Sequence, residues 1–322
     1  MANAWNKNKP SQFPPSRTIC LLLVGAFIFV MFFIYFTAQR SNLNTNPTFK
    51  TVLPFYPIPP FHCLTCPQSS PVIANLVEGL RYPFLYSLAD LGTLPDKPHK
   101  NIVRMLKGKL FRKPDISVTI QEVLEKLRGE GRANGLVVDV GANVGIASFA
   151  AAAMGFRVLA FEPVFENLQR FCDGIYLNRV EDLVTVFGAA ASDRAGNITF
   201  FKLVGRLDNS AVSATGAKMA FKSNEEIEVQ VRSIPLDEVI PESEPVLLIK
   251  IDVQGWEYHV LKGASKLLRR KGRKAPYLIY EEDERLLQAS NSSAKEIRDF
   301  LQTVGYSQCT KHGTDAHCAK TD

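Results

Sequence analysis

From residue 132 onward the chain alternates short, mostly apolar runs with longer amphipathic stretches. The runs at 136–140, 157–161, 183–187, 246–252 and 277–281 have the length of buried strands, and segments of helical length separate most of them. Strands that are apolar on both faces and alternate with helices predict a parallel sheet covered on both sides. One interval breaks the rhythm. Between 197 and 233, NITFFKLV and EIEVQVRSI alternate apolar and polar positions around a polar loop at 209–216. That period of two predicts an antiparallel hairpin inserted beside the sheet. Two more short strands are expected around 304–310 and 315–319.

Upstream the pattern is different. Residues 72–131 read as a helical cap with loops: TIQE at 119–122 has the form of a capping box ahead of Val123, Leu124 and Leu127, and Gly129 is a stop signal. Residues 39–71 carry much Asn, Thr and Pro and read as a stalk. Ahead of it, residues 19–36 contain no charge and are apolar on every face. As a helix that run reaches roughly 27 Å, close to a thin bilayer. A cleavable signal peptide would have a shorter apolar core and a small residue where Phe36 stands. An uncleaved anchor over 19–38 is therefore expected, with 1–18 as its tail. Lys7, Lys9 and Arg17 precede the span and Arg40 and Lys50 follow it. This small positive bias predicts a type II orientation, with residues 39–322 in the lumen of the Golgi or another endomembrane compartment. The sequons at Asn197 and Asn291 are compatible with that side.

Length and composition add limits. A chain of 322 residues, 46% hydrophobic and 22% charged, has room for one large α/β domain at 132–322 plus the appendages above. The net charge of +6 is uneven, because no acid precedes Glu78. A basic N-terminal quarter suits membrane targeting, and no aromatic–basic pattern of an RNA-binding sheet is present, so no nucleic-acid partner is expected. Of six cysteines, Cys20 lies in the apolar run and Cys172 in a helical pattern where a buried role is expected. In an oxidising lumen Cys63, Cys66, Cys309 and Cys318 have three possible pairings, of which 63–66 with 309–318 is preferred.

The chemistry begins at LVVDVGANVGIASFAA, which runs from a strand into an Ala-rich helix. Gly141 and Gly145 permit a tight turn and close approach of a ligand across Ala142 and Asn143. A dinucleotide site would read GxGxxG and hold a pyrophosphate here. This chain has GxNxG with Asp139 ahead of it. A carboxylate there repels a pyrophosphate and attracts the ammonium of a methionine moiety, which favours S-adenosylmethionine. Glu162 and Pro163 end the second strand, where an acid accepts both ribose hydroxyls. After the third strand comes GAAASD at 188–193, whose small residues leave room for adenine, with Ser192 or Asp193 near its exocyclic amine.

LVVDVGANVGIAS, AFEPVFENL, GAAASDRAGNITF, VRSIPLDEVI and LIKIDVQGWEYHVLKGA resemble, in order, the blocks of the FkbM-type methyltransferases over about 117–285. The resemblance implies a Rossmann-like class I methyltransferase sheet, mostly parallel with a terminal antiparallel strand. It also implies methyl transfer from S-adenosylmethionine, usually to a hydroxyl oxygen, on polyketide or carbohydrate acceptors. The family's last block usually reads KIDVEGxE, and Gln254 departs from it.

Within VLLIKIDVQGWE, Lys250 and Asp252 share a face at the C-terminal end of their strand. A lysine in an apolar strand needs a partner, and Asp252 or Glu257 is the natural one. The functional reading makes Asp252 the general base for an acceptor hydroxyl, with Lys250 orienting it and Glu257 holding the acceptor or the lysine. The alternative is a buried ion pair that only fixes the loop. Glu281, Glu282 and Asp283 end the fifth strand. One of them lines the acceptor pocket, or binds Mg²⁺ with Asp252, or the three form a solvated acidic loop, which charge-run logic favours. No metal is assigned. His259 is expected to pack on the sheet, Trp256 to stack on a sugar or fill the core, and KLLRRKGRK at 266–274 to complement a helix end. The acceptor is then a glycan or small-molecule hydroxyl. Two rival readings remain: a non-catalytic scaffold with this fold, and a nucleotide-sugar enzyme.

Overall fold

A computed structural model describes residues 31, 57–88, 91–93, 95–109, 114–203 and 226–320. The span expected at 19–38 lies outside them apart from Met31, as does the loop at 209–216. Among the described residues no helix is long and apolar enough to cross a membrane.

Among the described residues from 57 onward, two short hairpins precede the helix at 100–106, where the pattern predicts helices with loops. β1 (Ala74–Val77) pairs antiparallel with β2 (Phe84–Ser87), and β3 (Gly92–Thr93) with β4 (Lys97–Pro98). ANLV alternates exposed and buried positions, but four residues are too few for a period to declare itself in the sequence. One edge of β2 is closed by an amide: the Asn178 side chain donates to the Leu85 carbonyl and accepts its N–H at 2.7 and 2.8 Å. α1 (Lys100–Leu106) and α2 (Asp115–Gly129) follow. α2 starts at Pro114–Asp115, a turn before the TIQE segment, so that segment is not a cap; the helix does end at Gly129.

The order then becomes β5 (Leu136–Val140), α3 (Ile146–Ala152), β6 (Arg157–Phe161), α4 (Phe165–Asn178), β7 (Val184–Phe187) and β8 (Ala190–Ala191). The hairpin β9 (Gly196–Leu203) and β10 (Glu226–Ile234) leads through α5 (Leu236–Val239) to β11 (Val246–Ile251), α6 (Glu257–Gly263) and α7 (Ser265–Leu268). β12 (Tyr277–Glu281), α8 (Glu284–Ala289), α9 (Ala294–Thr303), β13 (Gln308–His312) and β14 (Asp315–Ala319) complete it.

Seven strands form the main sheet in the order β13-β14-β12-β11-β5-β6-β7. All neighbours from β12 to β7 are parallel, and β14 runs antiparallel to both β12 and β13. The parallel sheet and the terminal antiparallel strand are as expected, and β8, β10 and β9 make the small sheet beside it. The chain winds outward from β5 to β7 and then returns to β11 on the other side of β5. The C-terminal ends of β5 and β11 therefore flank a topological switch point, where open α/β sheets bind ligands.

Alternate residues of β5 enter opposite cores. Val137 joins Ile120, Leu124, Phe149 and Phe171 under α2, α3 and α4. Val138 and Val140 join Ile249, Ile251, Leu261 and Leu278 on the other face. Asp139 falls on the face of Val137, and Lys250 on that of Leu248.

Two disulfides brace the fold. Cys309–Cys318 joins facing positions of β13 and β14, as expected. The other is Cys63–Cys172, and Cys66 is free, which corrects both the 63–66 pairing and the apolar role of Cys172. Cys63 and Cys66 lie in one tight turn, with the Cys66 N–H on the Cys63 carbonyl, and Cys172 on α4 supplies the partner.

Candidate active site

The turn after β5 is shaped by what lies against it. Gly141 has φ +71, and a Cβ there would sit 1.8 Å from the Asp252 carbonyl oxygen. Only glycine lets the ends of β5 and β11 touch. Its N–H and that of Ala142 both donate to the Phe161 carbonyl at 3.0 Å, tying the turn to β6. Asn143 is also left-handed, at φ +52, and its N–H donates to Glu162 at 2.8 Å. Glu162 accepts further from the Val164 N–H at 2.9 Å and the Asn167 amide at 3.2 Å. Burial pushes its carboxyl above the ordinary value, although these donors and Lys250 oppose the shift.

A cleft with about 590 Å³ of empty space opens beside this turn. Of the residues singled out in the sequence, Gly141, Asn143, Glu162, Pro163, Asp252, Gln254 and Trp256 line it. Ala142, Gly145, Ser192, Asp193, Lys250 and Glu257 are absent from its walls, as is Asp139. Phe161, Ala189, Ala190, Ala191, Phe200 and Trp256 supply apolar surface. Phe200 on β9 and Asn167 on α4 escape sequence reasoning. Asn167, five residues beyond Glu162 and inside α4, leaves no periodic signal that could have paired it with that acid.

Asp139 is fully buried, and its carboxylate takes the Ser148 hydroxyl at 2.7 Å and the Lys250 ammonium at 3.1 Å. It stands behind the cleft. β5 and β11 place Asp139 and Lys250 as register partners, so the first partner of the lysine is Asp139. Asp252 is 3.9 Å away, and the Gly141 carbonyl accepts from the ammonium at 2.8 Å. Burial would lower the lysine, but Asp139 and then Asp252 hold it above its ordinary value. Glu257 does not meet the lysine at all. It accepts from the Val253 and Gly255 N–H groups at 2.9 and 3.2 Å, and burial raises it to about 7.

Ser192 and Asp193 are engaged elsewhere too. The Trp256 indole donates to Ser192 at 3.2 Å, and Asp193 meets His259 at 3.1 Å and Lys262 at 3.4 Å. His259 stacks on Trp256 with ring centroids 3.7 Å apart. Trp256 thus reaches the cleft with one face supported.

The rim of β11 and β12 is acidic. Asp252 leaves 45% of its side chain exposed. Gln254, at φ +55, donates from its amide to Asp252 at 2.9 Å and to Glu281 at 3.0 Å. Burial, then Asp252, Glu257 and Asp315, raise Glu281 to about 9. The other acids of the run are structural and not a solvated loop. Glu282 pairs with Arg298 at 2.5 Å and takes the Tyr280 hydroxyl at 2.6 Å, while Asp283 caps α8 and pairs with Arg285. Among the described residues no cluster of three or more acidic, His or Cys side chains is arranged to hold a metal.

Residues 139–307 match the model of the methyltransferase FkbM domain. The chain belongs to the FkbM methyltransferase family. The hexuronic acid methyltransferase AglP of Haloferax volcanii is 26% identical over 151 residues, 46% of this chain and 58% of that protein. The chain thus spans well under two thirds of the length of this relative. Among solved structures, the N-terminal domain of human METTL16 in complex with SAH aligns with 66% of this chain and 73% of its own, at 12% identity and TM-score 0.37. EvdMO1 aligns with 69% and 46%, at 13% identity and TM-score 0.33.

The FkbM methyltransferases use S-adenosylmethionine, and this site fits it. Glu162 lines the cleft, and Ala189, Ala190, Ala191 and Phe200 offer an apolar wall. The Asn143 side-chain oxygen, also at the cleft, is buried without a hydrogen-bond partner in the protein. A buried acceptor of this kind calls for a donor from a ligand.

Proposed function

We propose that this FkbM methyltransferase transfers a methyl group from S-adenosylmethionine to a hydroxyl oxygen of a glycan or secreted metabolite. One observation carries the reading. Among Asp139, Glu162, Asp252 and Glu257, Asp252 combines a place on the cleft with a half-exposed carboxylate. The others are buried and bound to groups of the protein.

When bound, S-adenosylmethionine supplies an electrophilic methyl group. Glu162 would hold the ribose hydroxyls, the Asn143 side-chain oxygen the methionine ammonium, and Ala189–Ala191 with Phe200 the adenine. Trp256, supported by His259, would close the cleft over the acceptor. Asp252 takes the hydroxyl proton as the acceptor oxygen gains the methyl. Lys250 keeps the Asp252 carboxylate turned toward the turn at Gly141. Most of the acceleration comes from alignment, which the rigid ends of β5 and β11 provide.

A lumenal setting is part of the proposal. The uncharged run at 19–38, the two disulfides and the exposed sequon residues Asn197 and Asn291 support it. A hexuronate-containing glycan is the preferred acceptor class, by analogy with the named relative.

Calorimetry of the full chain with S-adenosylmethionine tests the cofactor site, and labelled methyl transfer into glycan extracts tests the reaction. No binding to the folded chain would overturn the enzyme reading. Glycosidase treatment of the chain expressed in a eukaryotic cell should lower its apparent mass, and a C-terminal tag accessible from the cytosol would overturn the topology.

A further inference from the structure

The Gln254 amide serves two acids at once, Asp252 at 2.9 Å and Glu281 at 3.0 Å. An amide nitrogen carries two protons and keeps both at any pH of interest. A carboxylic acid in the same place would carry one proton and lose it on ionisation. The surroundings make that difference matter, because acids converge here from several elements. Asp315 on β14 is the register partner of Glu281, and Glu257 on α6 and Asp283 at the start of α8 add negative charge. Lys250 on β11 is the near cation, 3.9 Å from Asp252 but closer to Asp139 on β5. His312 on β13 acts on Asp315. With Glu281 raised to about 9, that carboxyl holds its proton at neutral pH while the amide joins it to Asp252.

We infer that Gln254 is a positioning residue for Asp252. Its amide ties the base to Glu281 through a donor that does not titrate, so the carboxylate stays aimed at the acceptor over a pH range in which a carboxyl donor would let go. This rests on Asp252 acting as the base in the reaction proposed above.

The test uses the full chain as wild type, Gln254→Glu, Gln254→Asn and Glu281→Gln. Infrared titration of protonated carboxyl groups, with Glu281 assigned by its loss in Glu281→Gln, needs no acceptor. In Gln254→Glu the Glu281 titration should split or move and a further carboxyl should appear. Methyl transfer from labelled S-adenosylmethionine to a panel of hexuronate oligosaccharides then gives the pH profile. Gln254→Glu should keep its rate within about threefold near pH 6 and lose about tenfold or more by about pH 8.5, relative to wild type. Asn accepts the left-handed backbone but is one methylene too short to bridge both acids. Gln254→Asn should therefore lower the rate at every pH without changing the slope. A merely structural residue would shift both variants alike. Unchanged carboxyl titration together with parallel pH profiles in Gln254→Glu would overturn the inference. Altered titration with no methyl transfer by wild type to any oligosaccharide would instead uphold the bridge and overturn the acceptor class.

Discussion

On β5, behind the cleft, Asp139 is met by Lys250 and Ser148, and in the cleft wall after β6 Glu162 is met by three N–H donors. At the β11–β12 end Asp252 and Glu281 share a single amide, and Asp315 lies across the strand pair. The first arrangement has a donor for each acid and fixes geometry; such a wall can hold a ligand but has little freedom to exchange a proton. The second has more acids than donors, so its protonation state responds to what binds. In the proposed reaction, cofactor holding and proton handling are thus separated by one step across the sheet, from β5 to β11.

The comparison breaks most severely at Lys250. Replacing it with Met leaves Asp139 fully buried without its cation. The expected loss is about 3–5 kcal/mol, measured by urea unfolding near neutral pH. A loss under about 1 kcal/mol would mean that Ser148 and the Gly141 region suffice, and the matched wall is not matched by charge.

At the other end, Asp252→Asn should reduce methyl transfer about a hundredfold or more while calorimetric affinity for S-adenosylmethionine changes less than about twofold. If transfer survives within a few-fold, Asp252 is not the base. A smaller effect is expected of Glu281→Gln on stability against pH. Glu281 rises from an ordinary 4.5 to about 9 in the folded chain, so the native state holds a proton that the unfolded state releases. Its contribution is present below about 4.5 and is lost as pH rises toward about 9. The wild type should lose stability across that window, and Glu281→Gln should flatten the curve, a difference of up to roughly tenfold in folding constant per pH unit. Identical curves would show that Glu281 does not hold a proton.

Much of the sheet is legible because strands buried on both faces appear as mostly apolar runs without a period-two alternation, and the acid ending β6 announces itself by place. Pairing across strands is not legible in that way. Spacing along β11 nominates Asp252 for Lys250, whereas the register of β5 against β11 brings Asp139 closer. The same limit hides Cys63–Cys172, whose partners are 109 residues apart, while Cys309 and Cys318 face each other in one hairpin. The strands at 74–87 are too short to show a period, and the bridge made by Gln254 depends on where the end of β12 falls.

The Cys63–Cys172 bond has one more consequence. It makes the segment from 63 to 172, which contains the Gly141 turn and Glu162, a covalent ring. A single cut by a protease anywhere inside that ring opens it without releasing either piece. Such a nicked chain should run as one species on a non-reducing gel and as two once the sulfurs are reduced, so the Gly141 turn survives a first cleavage physically attached to the rest of the chain.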